Sequence, residues 1–240
     1  MIDLNALKKV AIQAALDAGQ YLVDNKTKTK KVFSEVGRDI KLEIDQSTEE
    51  LIREKLSTTN IPVLGEEFGL DKDESLKWVV DPLDGTANYF RGLDKCCVSI
   101  ALMQGAQALI GVIYDFNCDE LYSAAQGNGA FLNDKEITVS DIATQSKATL
   151  TTGFPASESV DSSMKYLDAM TGWKKVRMFG SAALSCAYVA AGKCDCYAEK
   201  GVYLWDFAAG LCLIPEAGGK IEYNKLDNER YEVKFTNNHL

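Results

Sequence analysis

Two aspartates three residues apart, Asp81 and Asp84, follow a short apolar run in the stretch Trp78-Val79-Val80-Asp81-Pro82-Leu83-Asp84-Gly85-Thr86-Ala87-Asn88. Lys77 to Val80 is short, β-branched and aromatic, which predicts a buried strand. Pro82 cannot donate to a sheet ladder and biases Asp81 towards an extended backbone, so the strand is expected to end there. Asp84-Gly85 is a second turn signal that puts both carboxylates on one tight loop. After them Gly85, Thr86 and Ala87 offer consecutive backbone N–H groups. Carboxylates for a cation beside N–H groups for an anion suit a metal–phosphate complex. The same residues also make a well-formed turn without chemistry, and both readings stay open on this stretch alone.

The elements around it are those of one large domain or two small ones, since 240 residues suffice for a real core. Lysine and arginine number 26 against 35 acids, a net charge of −9, which argues against a nucleic-acid partner. An acidic chain that handles phosphates needs cations as intermediaries. Met1 to Val23 mixes Asp3, Lys8, Lys9 and Asp17 into its apolar pattern, and no run of ~20 apolar residues occurs, so a cytoplasmic protein with no membrane partner is expected. The seven cysteines lack a Cys-x-x-Cys pair and read as small buried core residues. The one histidine, His239, is next to the last residue, which argues against a histidine base or a three-histidine zinc site.

Leu4, Leu7, Ala11, Ala14, Ala18 and Leu22 recur at helical spacing and predict a helix over 3–24. The lysine-rich 26–31 reads as a solvated loop that could also steer anions. Strands are expected at 32–34 and 40–44 around Gly37, then a helix opening at 45–50 with acids suited to its dipole. Asp45 is most simply a residue that starts this helix. Strand 61–64 ends in Gly65-Glu66-Glu67, whose acids could reach the central motif. The runs 98–103, 108–114 and 120–123 predict an antiparallel meander, continued by 130–132. Gly127-x-Gly129 lacks a βαβ context and is not a nucleotide fingerprint. Helices are expected at 158–171 and 182–192, and strands at 174–178 and 195–199. Asp206 is placed to cap a helix running through Ala217 and stopped by Gly218-Gly219. With no linker or repeat, the expectation is a single unit over 1–240, whose halves 1–139 and 140–240 share one site.

Taken singly, Asp45, Glu66, Asp81, Asp84 and Asp206 each have a bland structural account. Together, Gly65-Glu66-Glu67, Asp81-Pro82-Leu83-Asp84-Gly85-Thr86-Ala87-Asn88, and Trp205-Asp206-Phe207-Ala208-Ala209-Gly210 with Glu216-Ala217-Gly218-Gly219 resemble the inositol monophosphatase family, in order and spacing. The resemblance covers nearly the whole chain. It implies an α+β fold, the layered αβαβα sandwich of the inositol monophosphatase and fructose-1,6-bisphosphatase type, usually dimeric. It also implies a Mg²⁺-dependent, often Li⁺-sensitive phosphatase of a small phosphorylated substrate. Carried over, Glu66, Asp81 and the Leu83 carbonyl would hold one metal, and Asp81, Asp84 and Asp206 a second; a third, weaker one would lie near Glu66. Thr86, paired with Asp45, would orient the attacking water, and the N–H groups of Gly85 and Thr86 would grip the phosphate. Gly180, Ser181, Ala182 and Glu199 fall where the family contacts the alcohol.

Chemistry supports those roles. Attack on a phosphate dianion is opposed by charge, and hard cations that neutralise its oxygens remove much of that barrier. Such cations want carboxylate, carbonyl and water oxygens. Without them the crowded carboxylates would repel one another and be loose or partly protonated. Inositol 1-phosphate is the default substrate; 3′-phosphoadenosine 5′-phosphate and fructose 1,6-bisphosphate are the alternatives, and a non-catalytic regulatory protein is the reading from another class. A calcium-binding module lacks its alternate acidic spacing. Ala87-Asn88-Tyr89 stands where the bisphosphate nucleotidase branch has Lys-Glu-Phe, which favours inositol-type or sugar-phosphate substrates, although the loop 26–31 could read a second phosphate. The chain ends at Thr236-Asn237-Asn238-His239-Leu240, where many relatives continue into a last helix.

Overall fold

The computed structural model describes residues 2–28, 32–36, 39–72, 74–154 and 160–240. Helix α1 (Leu4–Asn25) starts at Asp3, whose side chain accepts from Ala6 N–H at 3.0 Å. Its buried face is Ala11, Ala14, Ala15, Ala18 and Leu22, a stripe of small residues at helical spacing that lets the helix lie close to its neighbours. Strands β1 (Val32–Val36) and β2 (Asp39–Leu42) pair antiparallel, and the expected Gly37 turn between them lies outside the described residues. Helix α2 (Glu43–Ser57) begins two residues before Asp45, so Asp45 sits in its first turn.

The central sheet contains β3 (Val63–Gly65), β4 (Gly69–Leu70), β5 (Leu76–Asp84), β6 (Cys97–Gln104), β7 (Gln107–Asp115), β8 (Glu120–Ala125), β9 (Ala130–Leu132) and β10 (Lys135–Ile137). Its order is β10-β9-β8-β7-β6-β5-β3-β4, an antiparallel meander with one parallel pair, β3 on β5. Short helix α3 (Thr86–Arg91) follows β5. The second sheet contains β11 (Thr149–Thr151), β12 (Lys175–Arg177), β13 (Cys196–Val202), β14 (Lys220–Lys225) and β15 (Tyr231–Thr236), in the order β12-β11-β13-β15-β14. Helices α4 (Val160–Ala169), α5 (Ala182–Ala190), α6 (Leu204–Phe207) and α7 (Gly210–Glu216) complete the chain. Residues 158 and 159 of the expected α4 lie outside the described residues.

Helices α1 and α2 cover one face of the central sheet; α5 and α7 fill the space between its other face and the second sheet. On the second sheet Tyr166 of α4 donates to Gly153 O at 2.6 Å. This is the expected αβαβα layering. One apolar core, with Trp78, Val80 and Ile100, packs under α1 and α2; the other, with Tyr122, Leu213 and Phe235, surrounds α5 and α7.

Three expectations need correction. Strand β5 does not stop at Val80: it runs to Asp84 through a bulge, Asp81 opposite Ser99 and Asp84 opposite Cys97. Pro82 is tolerated because a bulge removes the need for its missing N–H. The helix expected from Asp206 to Ala217 is two helices, since the chain tightens to i→i+3 bonding at Leu211 N–H to Ala208 O, 3.2 Å. Gly210 opens α7 just after that break, and a Cβ there would meet Cys186 Sγ at 2.6 Å. The cysteines are all unpaired, and six are buried as expected, but Cys118 is exposed.

Candidate active site

The β5 bulge builds the centre of the site. Asp81 is 2 % exposed, and its Oδ1 accepts from Leu83 N–H at 3.0 Å, which folds the bulge back on the carboxylate. Gly85 then turns with φ +88°, a left-handed conformation that favours glycine; a Cβ there would also lie 2.6 Å from Lys95 O. That turn starts α3, where Thr86 Oγ1 donates to Leu83 O at 2.9 Å. Asn88 ties α3 across to the second half of the chain by donating to Phe179 O at 2.7 Å and Gly180 O at 3.3 Å.

Asp84 is held by the start of α5. Its Oδ2 accepts from Ser181 Oγ at 2.5 Å and from Ala183 N–H at 2.7 Å, and Oδ1 takes the longer bond from Ala182 N–H. Ser181 Oγ also accepts from Leu184 N–H, so one side chain caps the helix and fixes the aspartate. Asp206 does not start a helix as expected: α6 begins at Leu204, and Asp206, its third residue, reaches back so that Oδ2 accepts from Tyr203 N–H at 2.8 Å. Glu66 lies on the turn after β3. Buried Glu49 of α2 holds that turn by accepting from Glu67 and Phe68 N–H, and Arg53 pairs with Glu49 at 2.7 Å. A Cβ on Gly65 would lie 1.9 Å from Glu49 Oε1, so the glycine is required for this approach.

These elements surround a pocket of about 530 Å³, within the size range of small-molecule sites. Glu66, Asp84, Gly85, Thr86, Gly180, Ser181, Ala182, Glu199 and Asp206 all line it. Asp45, Asp81 and Leu83 are not among the lining residues, and each is almost fully buried. Sequence reasoning missed Arg230, Tyr203 and the positioning residue Glu49. Arg230 had no local signal, because only the pairing of β15 with β13 brings it to the pocket.

The carboxylates act on one another. Burial first, then the charges of Glu66, Asp84 and Asp206, push Asp81 well above the usual carboxylate range. Burial and Asp84 do the same to Asp206, ahead of the smaller contributions of Glu66 and Glu199. Asp84 rises less, because its bonds from Ser181, Ala183 and Ala182 oppose the effect of burial. Glu199 is pushed up to about 7 by burial, against a bond from Tyr197 Oη at 3.0 Å. Among the described residues, no three acidic, histidine or cysteine side chains converge tightly enough to enclose an ion by themselves. The carboxylates are thus close enough to repel and too open to form a closed cage. This all-oxygen, acid-rich donor set fits a hard divalent cation completed by water and substrate oxygens.

The family profile described as "Inositol monophosphatase family" matches residues 3–234. The chain belongs to the inositol monophosphatase family. It is 37% identical over 233 residues to a protein of Xylella fastidiosa named Nus factor SuhB, covering 94% of this chain and 85% of that one. It is also 37% identical over 224 residues to an inositol-1-monophosphatase of Mesorhizobium japonicum, covering 90% and 84%. In three dimensions it is similar to the extragenic suppressor protein suhB of Bartonella henselae, with a TM-score of 0.86, 33% identity, and 98% and 94% of the two chains covered. Relatives of this family thus carry two kinds of name, an enzyme and a factor. Among the described residues no helix is long and apolar enough to cross a membrane.

Proposed function

We propose that the chain is a Mg²⁺-dependent phosphatase of small phosphate monoesters, with inositol 1-phosphate as its first substrate. The observation that carries this reading is the mutual repulsion of buried Asp81, Asp84 and Asp206 with Glu66 beside one pocket, a state that bound cations relieve. Glu66, Asp81 and the Leu83 carbonyl would hold one Mg²⁺, and Asp81, Asp84 and Asp206 another. Bound Mg²⁺ supplies charge neutralisation, a more acidic water and stabilisation of the leaving oxygen.

The protein's own groups do the rest. The Gly85 and Thr86 N–H groups, set by the left-handed turn, are offered to the phosphate oxygens. Thr86 Oγ1 can accept a hydrogen bond from a water while donating to Leu83 O, which fixes the direction of its own hydrogen. Asp45, buried in the first turn of α2, is the proposed partner of Thr86 in orienting that water. Ser181 holds Asp84 in place, and Gly180, Ala182 and Glu199 face the alcohol part of the substrate.

Phosphate release from inositol 1-phosphate, fructose 1,6-bisphosphate and 3′-phosphoadenosine 5′-phosphate tests this, with Mg²⁺, with chelator and with added Li⁺. Mg²⁺-dependent, Li⁺-sensitive release from at least one is expected. No release from a folded chain that binds Mg²⁺ would turn the assignment to the second reading, a protein that keeps the fold and acts through a partner. The name Nus factor SuhB on several relatives favours that alternative.

A further inference from the structure

Arg230 is the one cation among the described residues that line the pocket, and it stands in a wall otherwise supplied with Glu66, Asp84, Glu199 and Asp206. A cation in such company is ordinarily spent on an ion pair. Among the described residues Arg230 makes none. Its guanidinium lies over the Tyr203 ring at 4.3 Å, and Tyr203 is itself stacked on Trp205, with ring centroids 4.8 Å apart and planes 16° from parallel. Its Nη1 donates to Gly201 O at 2.5 Å. One edge and one face of the guanidinium are therefore fixed by a carbonyl and an aromatic ring, neither of which neutralises its charge.

The backbone delivers the residue deliberately. The turn between β14 and β15 places Asn228 and Glu229 in the left-handed region, φ 60° each, and closes with Leu226 N–H to Arg230 O at 2.7 Å. Neither is a glycine, so the turn holds an uncommon conformation at two successive residues to set Arg230 beside β13. Tyr203 links this cation to the reacting end, since its ring lies under Arg230 while its N–H bonds the Asp206 carboxylate at 2.8 Å. Tyr203 thus touches both Arg230 and the Asp206 carboxylate at the acidic end of the pocket.

We infer that Arg230 is a specificity-determining residue that binds a second phosphate, so that the pocket takes a bisphosphate as well as inositol 1-phosphate. The inference rests on the phosphatase reading above. An acidic wall repels a second phosphate unless a direct cation compensates, and a stacked, planar guanidinium presents phosphate with paired donors at little ordering cost. Of the lysine-rich 26–31, residues 29–31 lie outside the described residues; Lys26 is bonded to Asp94 and Asn117, both at 2.6 Å, and Lys28 to Asn25.

The test compares wild type, Arg230→Gln and Arg230→Lys in phosphate release from fructose 1,6-bisphosphate, 3′-phosphoadenosine 5′-phosphate and inositol 1-phosphate with Mg²⁺. In Arg230→Gln the ratio of kcat/KM for a bisphosphate to that for inositol 1-phosphate is expected to fall at least about tenfold, mainly through KM. Arg230→Lys keeps the charge without the planar stack and is expected to fall in between. A fall with either bisphosphate supports the inference, and which one shows it identifies the scaffold. Ratios within twofold of wild type in both variants and for both bisphosphates would overturn it. Should Arg230→Gln fail to fold, the Arg230→Lys ratio decides alone, with a fall of about threefold or more expected. Absence of release from all three substrates by wild type would instead sink the phosphatase reading, and this inference with it.

Discussion

Asp81 and Glu199 show how single carboxyl groups couple the site to stability. Both have pKa values raised in the folded chain, so the fold retains their protons and loses stability as pH rises past the unfolded value. For Glu199 the loss accrues between its ordinary 4.5 and about 7, and it is fully present above that. Glu199→Gln should therefore leave stability little changed at pH 4.5 and raise it above pH 7.5, by at most about 3 kcal/mol. Urea denaturation in chelator at several pH values checks this; a difference that does not grow with pH would refute it. Asp81→Asn keeps an acceptor for Leu83 N–H while removing the charge that its neighbours oppose. In chelator at pH 7 the variant is expected to melt at or above the wild-type temperature. On the proposed reading its turnover with Mg²⁺ falls by a factor on the order of 10³. Near-wild-type turnover would remove Asp81 from the proposed machinery.

At the scale of elements, the site depends on two junctions between secondary structures. One is the turn after β3, which Glu49 holds through two backbone N–H groups with Gly65 packed against it. Gly65→Ala pushes a methyl group into the Glu49 carboxylate and is expected to cost about 1–3 kcal/mol in denaturant unfolding. Because the displaced turn bears Glu66, the Mg²⁺ concentration for half-maximal activity should rise as well. A stability loss with unchanged Mg²⁺ dependence would separate Glu66 from the metal. The other junction is the start of α5, where Ser181 serves Leu184 N–H and Asp84 together. Ser181→Ala is expected to lose about 1 kcal/mol as a helix cap. It also removes the largest of the bonds that restrain the upward shift of Asp84, so the acidic limb of the pH–rate profile should move to higher pH. Ser181→Thr, which retains the hydroxyl, should restore the profile.

At the scale of the whole molecule, α5 and α7 are pressed between two sheets and against each other. Gly210 faces Cys186, and a Cβ on Gly111 of β7 would lie 2.3 Å from Ala209 O. Gly210→Ala is expected to cost about 1–3 kcal/mol by overpacking, and Cys186→Ala in the same chain should recover part of it. A double-mutant cycle in urea measures the coupling; strict additivity would show that the two positions do not compete for space. Much of this architecture was legible in the sequence. Helical spacing marked α1, turn residues between apolar runs marked the meander β6 to β8, and the three acidic motifs carried the family resemblance along with Glu66, Asp84 and Asp206 of the pocket. Those signals are local, set by periodicity, turn chemistry and residue type within a few positions. What the sequence could not reveal was decided by pairing at a distance. The bulge carried β5 past Pro82 because β6 was there to pair with it, and packing on Cys186 and β7 accompanied a broken helix where local propensity pointed to a continuous one. The β14–β15 turn brought Arg230 beside Tyr203, far from it in sequence. Local chemistry determined which residues could act; long-range hydrogen bonding and close packing determined which of them share a pocket.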